Sequence, residues 1–584
     1  MNDYVPAGGV DDEINALRGQ LTVLENDPDS LELWDKQINS VEKLEGGLSR
    51  NSNPQALSLA RDSFERLLHR SPLFFGYWKK YAEDEFVISG TESAEMVYER
   101  GIAANPHSVD LWAEYCRFKM DTCHNLDVVR EHFERASHAV GIDFMSHPFW
   151  DKYIEFETRQ EAHERVFALL VRICRIPLHQ YSRYYEKLRG MTHNLPLADI
   201  ATPADLSRIQ AEVQAESAAH GITSRPELEV ERDVRTKIDG MYYEVFTNTA
   251  TEVNNRWTYE SELGHQYFHT LPLQHTQLNG WRKYLDFEEA GGDYERIKFL
   301  YERCVNTCAL YDEFWYRFAR WMSTQPGKEE EVRHIYVQAA FLVPVSRPGI
   351  RLQWAYFEES NGRVDVARDI HAGILHKLPD CTEVIISWAH LERRQAGTDA
   401  AIQVLRDHID APTVNLFTKA MLVAEWAMLL WKAKGSAEQA RGAFVKNAQW
   451  YGDSRLFWEK WFAFELEQPT ETEGEETTGR RVKYVYDEFR RRSRLSEAVK
   501  RDLGKIYLDF LVHRGTKDAM KEFLEVDRAM FGSAAVAALS ADDQNGEAAA
   551  ELDDDNKKKA ETRLFFFYDH EEQDSAATGP ANFE

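Results

Sequence analysis

The chain is short of positive charge. Its 584 residues hold 70 Lys and Arg against 98 Asp and Glu, a formal net charge of -28. A protein that coats RNA or DNA without sequence preference needs a basic footprint to release counterions, so protein partners are the first expectation. Cysteine is scarce: Cys116, Cys123, Cys174, Cys304, Cys308 and Cys381 form no CxxC pair. Cys304 and Cys308 share a helix face, but two thiolates without a second pair make a poor zinc site. Buried free thiols in a reducing compartment are expected instead. Long apolar runs are missing. The most apolar stretch, Met421 to Trp431, is too short to span a bilayer and contains Glu425. The N-terminus, MNDYVPAGGVDDEIN, has neither the basic nor the apolar part of a secretory signal. A soluble, intracellular chain without membrane contact follows as the expectation. Also missing are GxxxxGK, HExxH, GxSxG, EF-hand loops and a GxGxxG after a strand. No catalytic residue, metal site or cofactor is assigned, and no enzymatic activity is expected.

What is present is aromatic material and a repeat. Trp78, Trp112 and Trp150, then Trp281 and Trp315, recur every 34 to 38 residues, and Trp458 opens a late copy. A fixed period of this size marks a stacked helical solenoid. Three positions after each Trp stands Tyr81, Tyr115, Tyr153, Tyr284, Phe318 or Trp461. A second large apolar residue follows each Trp by 20 or 21 positions: Tyr98, Phe133, Leu170, Tyr301 and Tyr336. Each repeat therefore reads as two helices, A and B. The same spacing finds repeats without the anchor, from Arg351 to His371, Ile385 to Leu405 and Val423 to Phe444, with Trp354, Trp388 and Trp426 at +3. Two copies have long A–B loops: Trp34 to Phe64, and Trp458 to Tyr486 across QPTETEGEETTG.

Positions 0, +3, +6 and +7 of helix A form one broad stripe at about 100° per residue. Position +7 is Glu at Glu85, Glu157, Glu288, Glu358, Glu392 and Glu465, and helix B carries Glu65-Arg66, Glu99-Arg100, Glu134-Arg135 and Glu302-Arg303. The +7 glutamates either pair with arginines across a seam or lie on a solvated face. Pro72, Pro106, Pro177, Pro344 and Pro379 punctuate the B-helix ends.

The expected fold is all-α, a TPR-like helical-repeat solenoid in two blocks. Residues 1–30 read as a flexible segment, 31–190 as the N-terminal block, and 191–230 as a linker with a short helix from Pro203 to Ala219. Residues 231–530 read as the C-terminal block, opening on a degenerate repeat or bridging helix. Residues 531–584 are an acidic tail, expected to be disordered. Within that tail Leu564, Phe565, Phe566, Phe567 and Tyr568 form a candidate docking motif. Arg490, Arg491, Arg492 and Arg494 are a candidate contact to RNA phosphates or an acidic partner; a solvated helix face balanced by the preceding acidic loop is the other reading. Ile506, Tyr507, Phe510, Leu511, Phe523 and Leu524 are a candidate dimer interface or an end cap, which a repeat array needs.

The pattern W-x2-Y-x2-F-E resembles the half-a-TPR (HAT) repeat. FGYWKKYAEDE (75–85), SVDLWAEYCRF (108–118), RWTYESEL (256–263), YFHTLPLQHTQLNGWRKYLDFE (267–288) and YERCVNTCALYDEFWYRFARW (301–321) resemble the pre-mRNA-processing factor 39 family. The resemblance implies a non-catalytic, nuclear scaffold of the U1 small nuclear ribonucleoprotein that supports 5′ splice-site recognition and early spliceosome assembly. It implies dimerisation through C-terminal repeats, with a second copy or a paralogous HAT protein. It also implies docking on particle proteins, including the zinc-finger subunit, with contact to U1 small nuclear RNA mostly indirect. The alternatives are a HAT scaffold of mRNA 3′-end cleavage and polyadenylation, or a direct RNA-binding helical-repeat protein. The acidic pI near 5.2 argues against the last.

Overall fold

A computed structural model of the chain describes residues 8–26, 30–219, 226–264, 267–468 and 475–532. Among the described residues the regular elements are all helices. The chain divides into two compact units, Met1–Ile350 and Arg351–Glu584.

In the first unit, four helix pairs follow one another: Leu31–Glu42 with Pro54–Arg70, Phe75–Ser89 with Thr91–Ala104, Val109–Thr122 with Leu126–Val140, and His147–Arg159 with His163–Ile173. Helix Tyr181–Asn194 then opens a fifth pair, whose second helix is the 37-residue Glu227–Leu263. Leu197–Ile200 and Pro203–Ala219 are inserted between them. Ile200, Ile209 and Val213 are buried, and the Tyr242 hydroxyl donates to the Ile200 carbonyl at 2.8 Å, so the insertion is packed onto the long helix. Two more pairs follow, His275–Gly291 with Tyr294–Thr307 and Asp312–Ser323 with Glu329–Leu342.

The second unit continues the pattern through Val364–Lys377, Thr382–Ala396 with Thr398–Asp410, Leu416–Lys432 with Ala437–Asn447, Arg455–Leu466 with Glu475–Arg492, and Glu497–Arg514 with Ala519–Phe531. Asn53, Ser108, Asn125, Asp293, Asn415, Ser436, Ser454 and Ser496 cap helix starts with side-chain oxygens. Gly90 and Gly397 each form a one-residue A–B link at φ +94° and +96°, a region that disfavours side chains.

One expectation is corrected. The N-terminal segment is helical over Gly8–Asn26, and Ile14, Leu17, Leu21 and Leu24 are buried. Their spacing of three and four places them on one face, which covers the first repeat; Gln37 Nε2 donates to the Leu17 carbonyl at 3.4 Å. The tail motif Leu564–Tyr568 lies outside the described residues.

The repeats are joined by stacked rings. The B-helix aromatic of one repeat lies flat on the +3 aromatic of the next repeat's helix A. Phe64 stacks on Tyr81 at 4.9 Å, Tyr98 on Tyr115 at 4.8 Å, and Phe133 on Tyr153 at 4.6 Å. Tyr259 on Tyr284 and Tyr301 on Phe318 continue the series in the first unit; Phe444 on Trp461 and Tyr486 on Tyr507 do so in the second. Such pairs contribute about 0.5–1.5 kcal/mol each beyond their buried area. The anchor Trp adds a hydrogen bond. The Trp78, Trp112, Trp315 and Trp458 indole N–H groups donate to the carbonyls of Pro72, Pro106, Ala309 and Gly452, six residues earlier, at 2.8–3.1 Å. A Phe at this position fills the space but leaves the turn carbonyl without that donor.

The +7 glutamates belong to the seam. Glu85, Glu157, Glu288, Glu392 and Glu465 pair with Arg61, Arg130, Arg256, Arg368 and Arg441 at 2.6–2.8 Å. Each arginine precedes the aromatic residue of the preceding B helix (Phe64, Phe133, Tyr259, His371, Phe444) by three residues. The carboxylates are nearly inaccessible, Glu157 at 1%. The solvated-face reading therefore fails for these five.

Arg130→Met leaves the inaccessible Glu157 carboxylate with only the longer contact to Arg165 at 4.0 Å and is expected to cost up to about 3–5 kcal/mol, the usual penalty for breaking a buried pair. Glu157→Leu should cost less, because Arg130 is partly exposed and reaches water. Chemical-denaturation curves of the two variants test this order.

Candidate functional site

On the B helices of the first unit, glutamates and arginines form a ladder. Glu65 accepts from the Tyr81 hydroxyl at 3.0 Å and from both Arg100 terminal nitrogens at 2.5–2.6 Å. Arg100 lies over the Trp78 ring at 5.5 Å. The same rung recurs as Glu99 with Tyr115, Arg135 and Trp112, and as Glu134 with Tyr153, Arg172 and Trp150. A further rung, Glu260 with Arg303 over Trp281, is buried. Hydrogen bonds from Arg100 hold the Glu65 carboxyl below its ordinary range. Much of the charge on this face is thus already paired.

The ladder breaks at Glu302. Its rung would need a tyrosine at Phe318 and an arginine at Gln338. Glu302 instead meets His107 of the third repeat at 3.2 Å. Around this contact, Asn306 donates to Asn105 at 3.0 Å, His107 lies edge-on to Phe299 at 5.6 Å, and Phe74 meets Phe268 at 5.1 Å. Arg303 also reaches buried Asp143 at 3.4 Å. Beside these contacts opens a cleft of about 1040 Å³. Leu68, His69, Leu73 and Trp78 line one side, and Val305, Ile335, Val337 and Phe341 the other. Val337 and Phe341 remain 45% and 56% exposed on a helix whose other face is buried. The cleft was not among the sequence expectations. Its signal was Val337-Gln338, standing where the other ladder helices carry at least one charged residue: Glu65-Arg66, Glu99-Arg100, Glu134-Arg135, Val171-Arg172, Glu260-Ser261 and Glu302-Arg303.

The sequence candidates fall differently. Arg490, Arg491 and Arg492 form the last turn of helix Glu475–Arg492, where positive charge offsets the helix dipole. Arg491 and Arg492 are both held by Glu488, Arg492 at 2.5 Å. Arg490 donates to the Tyr486 hydroxyl at 3.3 Å and is exposed. Arg494 is exposed and, among the described residues, has no ion-pair partner. Of the candidate dimer residues, Tyr507, Phe510 and Leu511 are buried in the chain's own core, with Tyr507 stacked on Tyr486 at 4.4 Å. Ile506 and Phe523 are partly buried against the same core, whereas Leu524 is exposed, as are Val512 and Met520. The six residues therefore do not share one free surface. Among the described residues no group of three or more His, Cys, Asp and Glu is arranged to hold a metal, and no helix is long and apolar enough to cross a membrane.

Comparison with known proteins adds the following. The PRP39 N-terminal HAT repeat family matches residues 20–190, and the PRP39 C-terminal HAT repeat family matches residues 254–394. Pre-mRNA-processing factor 39 of Schizosaccharomyces pombe is 44% identical over 525 residues, 88% of this chain and 86% of the relative. The Homo sapiens protein of that name is 32% identical, covering 66% of this chain and 59% of its own length. The U1 small nuclear ribonucleoprotein component PRP42 of Saccharomyces cerevisiae is 24% identical over 70% of this chain and 76% of its own. The crystal structure of CSTF-77 is similar with a TM-score of 0.49 at 13% identity, covering 78% of this chain and 95% of that one. A likeness that low does not decide between scaffold readings.

If the basic turn meets RNA, Arg490→Ala with Arg494→Ala should weaken association and lower the salt slope by about 0.7 per lost phosphate contact on single strands. A salt titration by fluorescence anisotropy reads this, and an unchanged slope assigns the turn to helix capping.

Proposed function

The chain belongs to the pre-mRNA-processing factor 39 family of HAT-repeat splicing proteins, and we propose that it is a non-catalytic scaffold of the U1 small nuclear ribonucleoprotein. In this reading it works in the nucleus, supporting 5′ splice-site recognition and early spliceosome assembly through protein–protein contacts. The carrying observation is the 44% identity to the fission yeast factor across most of both chains, with the PRP42 similarity as its second support. The ladder suits the role. A solenoid whose seams are closed by stacked rings and buried ion pairs holds distant surfaces at fixed spacing. Its paired charges leave little free positive potential for RNA, so RNA contact is mostly indirect, and particle proteins, among them the zinc-finger subunit, are the direct partners.

Dimerisation, with a second copy or a paralogous HAT protein, is assigned to the last repeat. The exposed residues Val512, Met520 and Leu524 would supply the contact; buried Tyr507, Phe510 and Leu511 would shape it from beneath.

Purification of the tagged chain under native conditions, with sequencing of its RNA, is expected to enrich U1 small nuclear RNA. Recovery of 3′-end cleavage factors without that RNA would overturn the splicing assignment. For the dimer, light scattering at micromolar concentration should give twice the chain mass, and Leu524→Asp should return it to one. An unaltered mass in that variant removes Leu524 from the interface.

A further inference from the structure

We propose that a small cavity in the second unit, between helices Ala437–Asn447, Arg455–Leu466 and Glu475–Arg492, binds the phosphoryl group of a phosphorylated serine or threonine on a protein partner. The inference does not rest on the splicing role. It begins with a seam that departs from the other four. At Arg61, Arg130, Arg256 and Arg368 the guanidinium grips its +7 glutamate with two nitrogens, Nε on one oxygen and Nη2 on the other. Arg441 uses Nε alone, which meets both Glu465 oxygens at 2.8 and 3.1 Å. Its two terminal nitrogens are left without an acceptor among the described residues, and Arg441 lines the cavity. The ladder rung is incomplete here as well. Where Tyr81, Tyr115 and Tyr153 donate to Glu65, Glu99 and Glu134, this seam carries Trp461 and Val445. Trp461 is 1% exposed, and its indole N–H has no partner. A buried donor left unmet costs free energy that an entering acceptor recovers.

The cavity holds about 210 Å³, below the range of drug-sized ligands and suited to one charged side chain. Three arginines, Arg441, Arg480 and Arg481, line it against a single carboxylate, Glu465, which already holds Arg441. Arg480 is exposed, its Nε donates to the Glu476 carbonyl at 3.3 Å, and among the described residues it has no ion-pair partner. Arg481 is otherwise engaged. The open donors are Arg480, the Arg441 terminal nitrogens and the Thr477 hydroxyl, beside the Trp461 N–H. Glu488 stands where the ladder carries Arg100, but Arg491 and Arg492 hold it and it lies outside the cavity lining. A wall of donors fits an oxyanion, and the planar fork of arginine matches phosphate oxygens in pairs. A phosphorylated side chain ends in three acceptor oxygens with a charge of about -1.5 to -2. A nucleic-acid phosphate carries one charge and a chain on both sides, which calls for an open track rather than a small pocket. Val445 and Tyr484 are 39% and 45% exposed at the cavity, so they can cover the carbon atoms of the residue that bears the group.

The test uses the full chain with isotope-labelled tryptophan and follows the Trp461 indole N–H by NMR. Trp461→Tyr, which restores the residue of the ladder, assigns that signal by its loss. Titration with N-acetyl-O-phosphoserine N-methylamide is expected to move the signal in a saturable way, and the unphosphorylated compound to leave it in place. Arg480→Ala should raise the dissociation constant about tenfold. Arg480 is exposed, and unchanged positions of the other indole signals would show the fold intact. No saturable shift, or a dissociation constant that Arg480→Ala leaves unaltered, overturns the proposal. Inorganic phosphate binding as tightly as the phosphoserine probe assigns the cavity to the free anion, and tighter binding of oligouridylate assigns it to RNA; either result overturns the phosphorylated partner.

Discussion

The structure depends on the flat stack between a B-helix ring and the +3 ring of the next repeat. Each helix pair has two large faces and buries only one of them against itself. The stack closes the other, and Trp78, Trp112, Trp315 and Trp458 brace it by donating their indole N–H groups to the turn carbonyls behind them. Rings are suited to this seam because they bury a large area with few rotatable bonds to immobilise. The +7 ion pair then seals the edge. It is directional, so it sets register between repeats, whereas apolar contact alone tolerates sliding.

From the seam follows the distribution of charge. With a formal net charge of -28 the chain should repel itself, yet its arginines are spent one by one on glutamates of the neighbouring repeat. Arginine suits both tasks asked of it, a bidentate grip on a carboxylate and a planar cover over the Trp ring. The excess acid is left elsewhere, in loops and on outer faces. On the B-helix faces of the first unit the arginines of the ladder are already held by carboxylates, so these positions form no free basic track.

The cleft in the first unit shows what happens where the pattern lapses. Phe318 lacks the hydroxyl and Gln338 lacks the charge needed to complete a rung, so Glu302 turns to His107 and the helix beside it exposes Val337 and Phe341.

Much of this was legible in the chain. The period, the two-helix repeat, the +3 aromatic and the prolines after the B helices are local features written in spacing, because a helix face is set by 3.6 residues per turn. The rest needed three dimensions. That the ring 20 residues on stacks against the following repeat, that five of the +7 glutamates find an arginine three positions before the B-helix aromatic, and that helix Gly8–Asn26 covers the first repeat are contacts between elements. Spacing alone does not assign such partners. Nor does it bring His107 to Glu302 across almost 200 residues. Burial likewise split the candidate dimer residues, since Tyr507 and Leu524 are equally apolar in sequence. Helical periodicity settles which residues share a face; which face meets which is settled by packing between segments far apart along the chain.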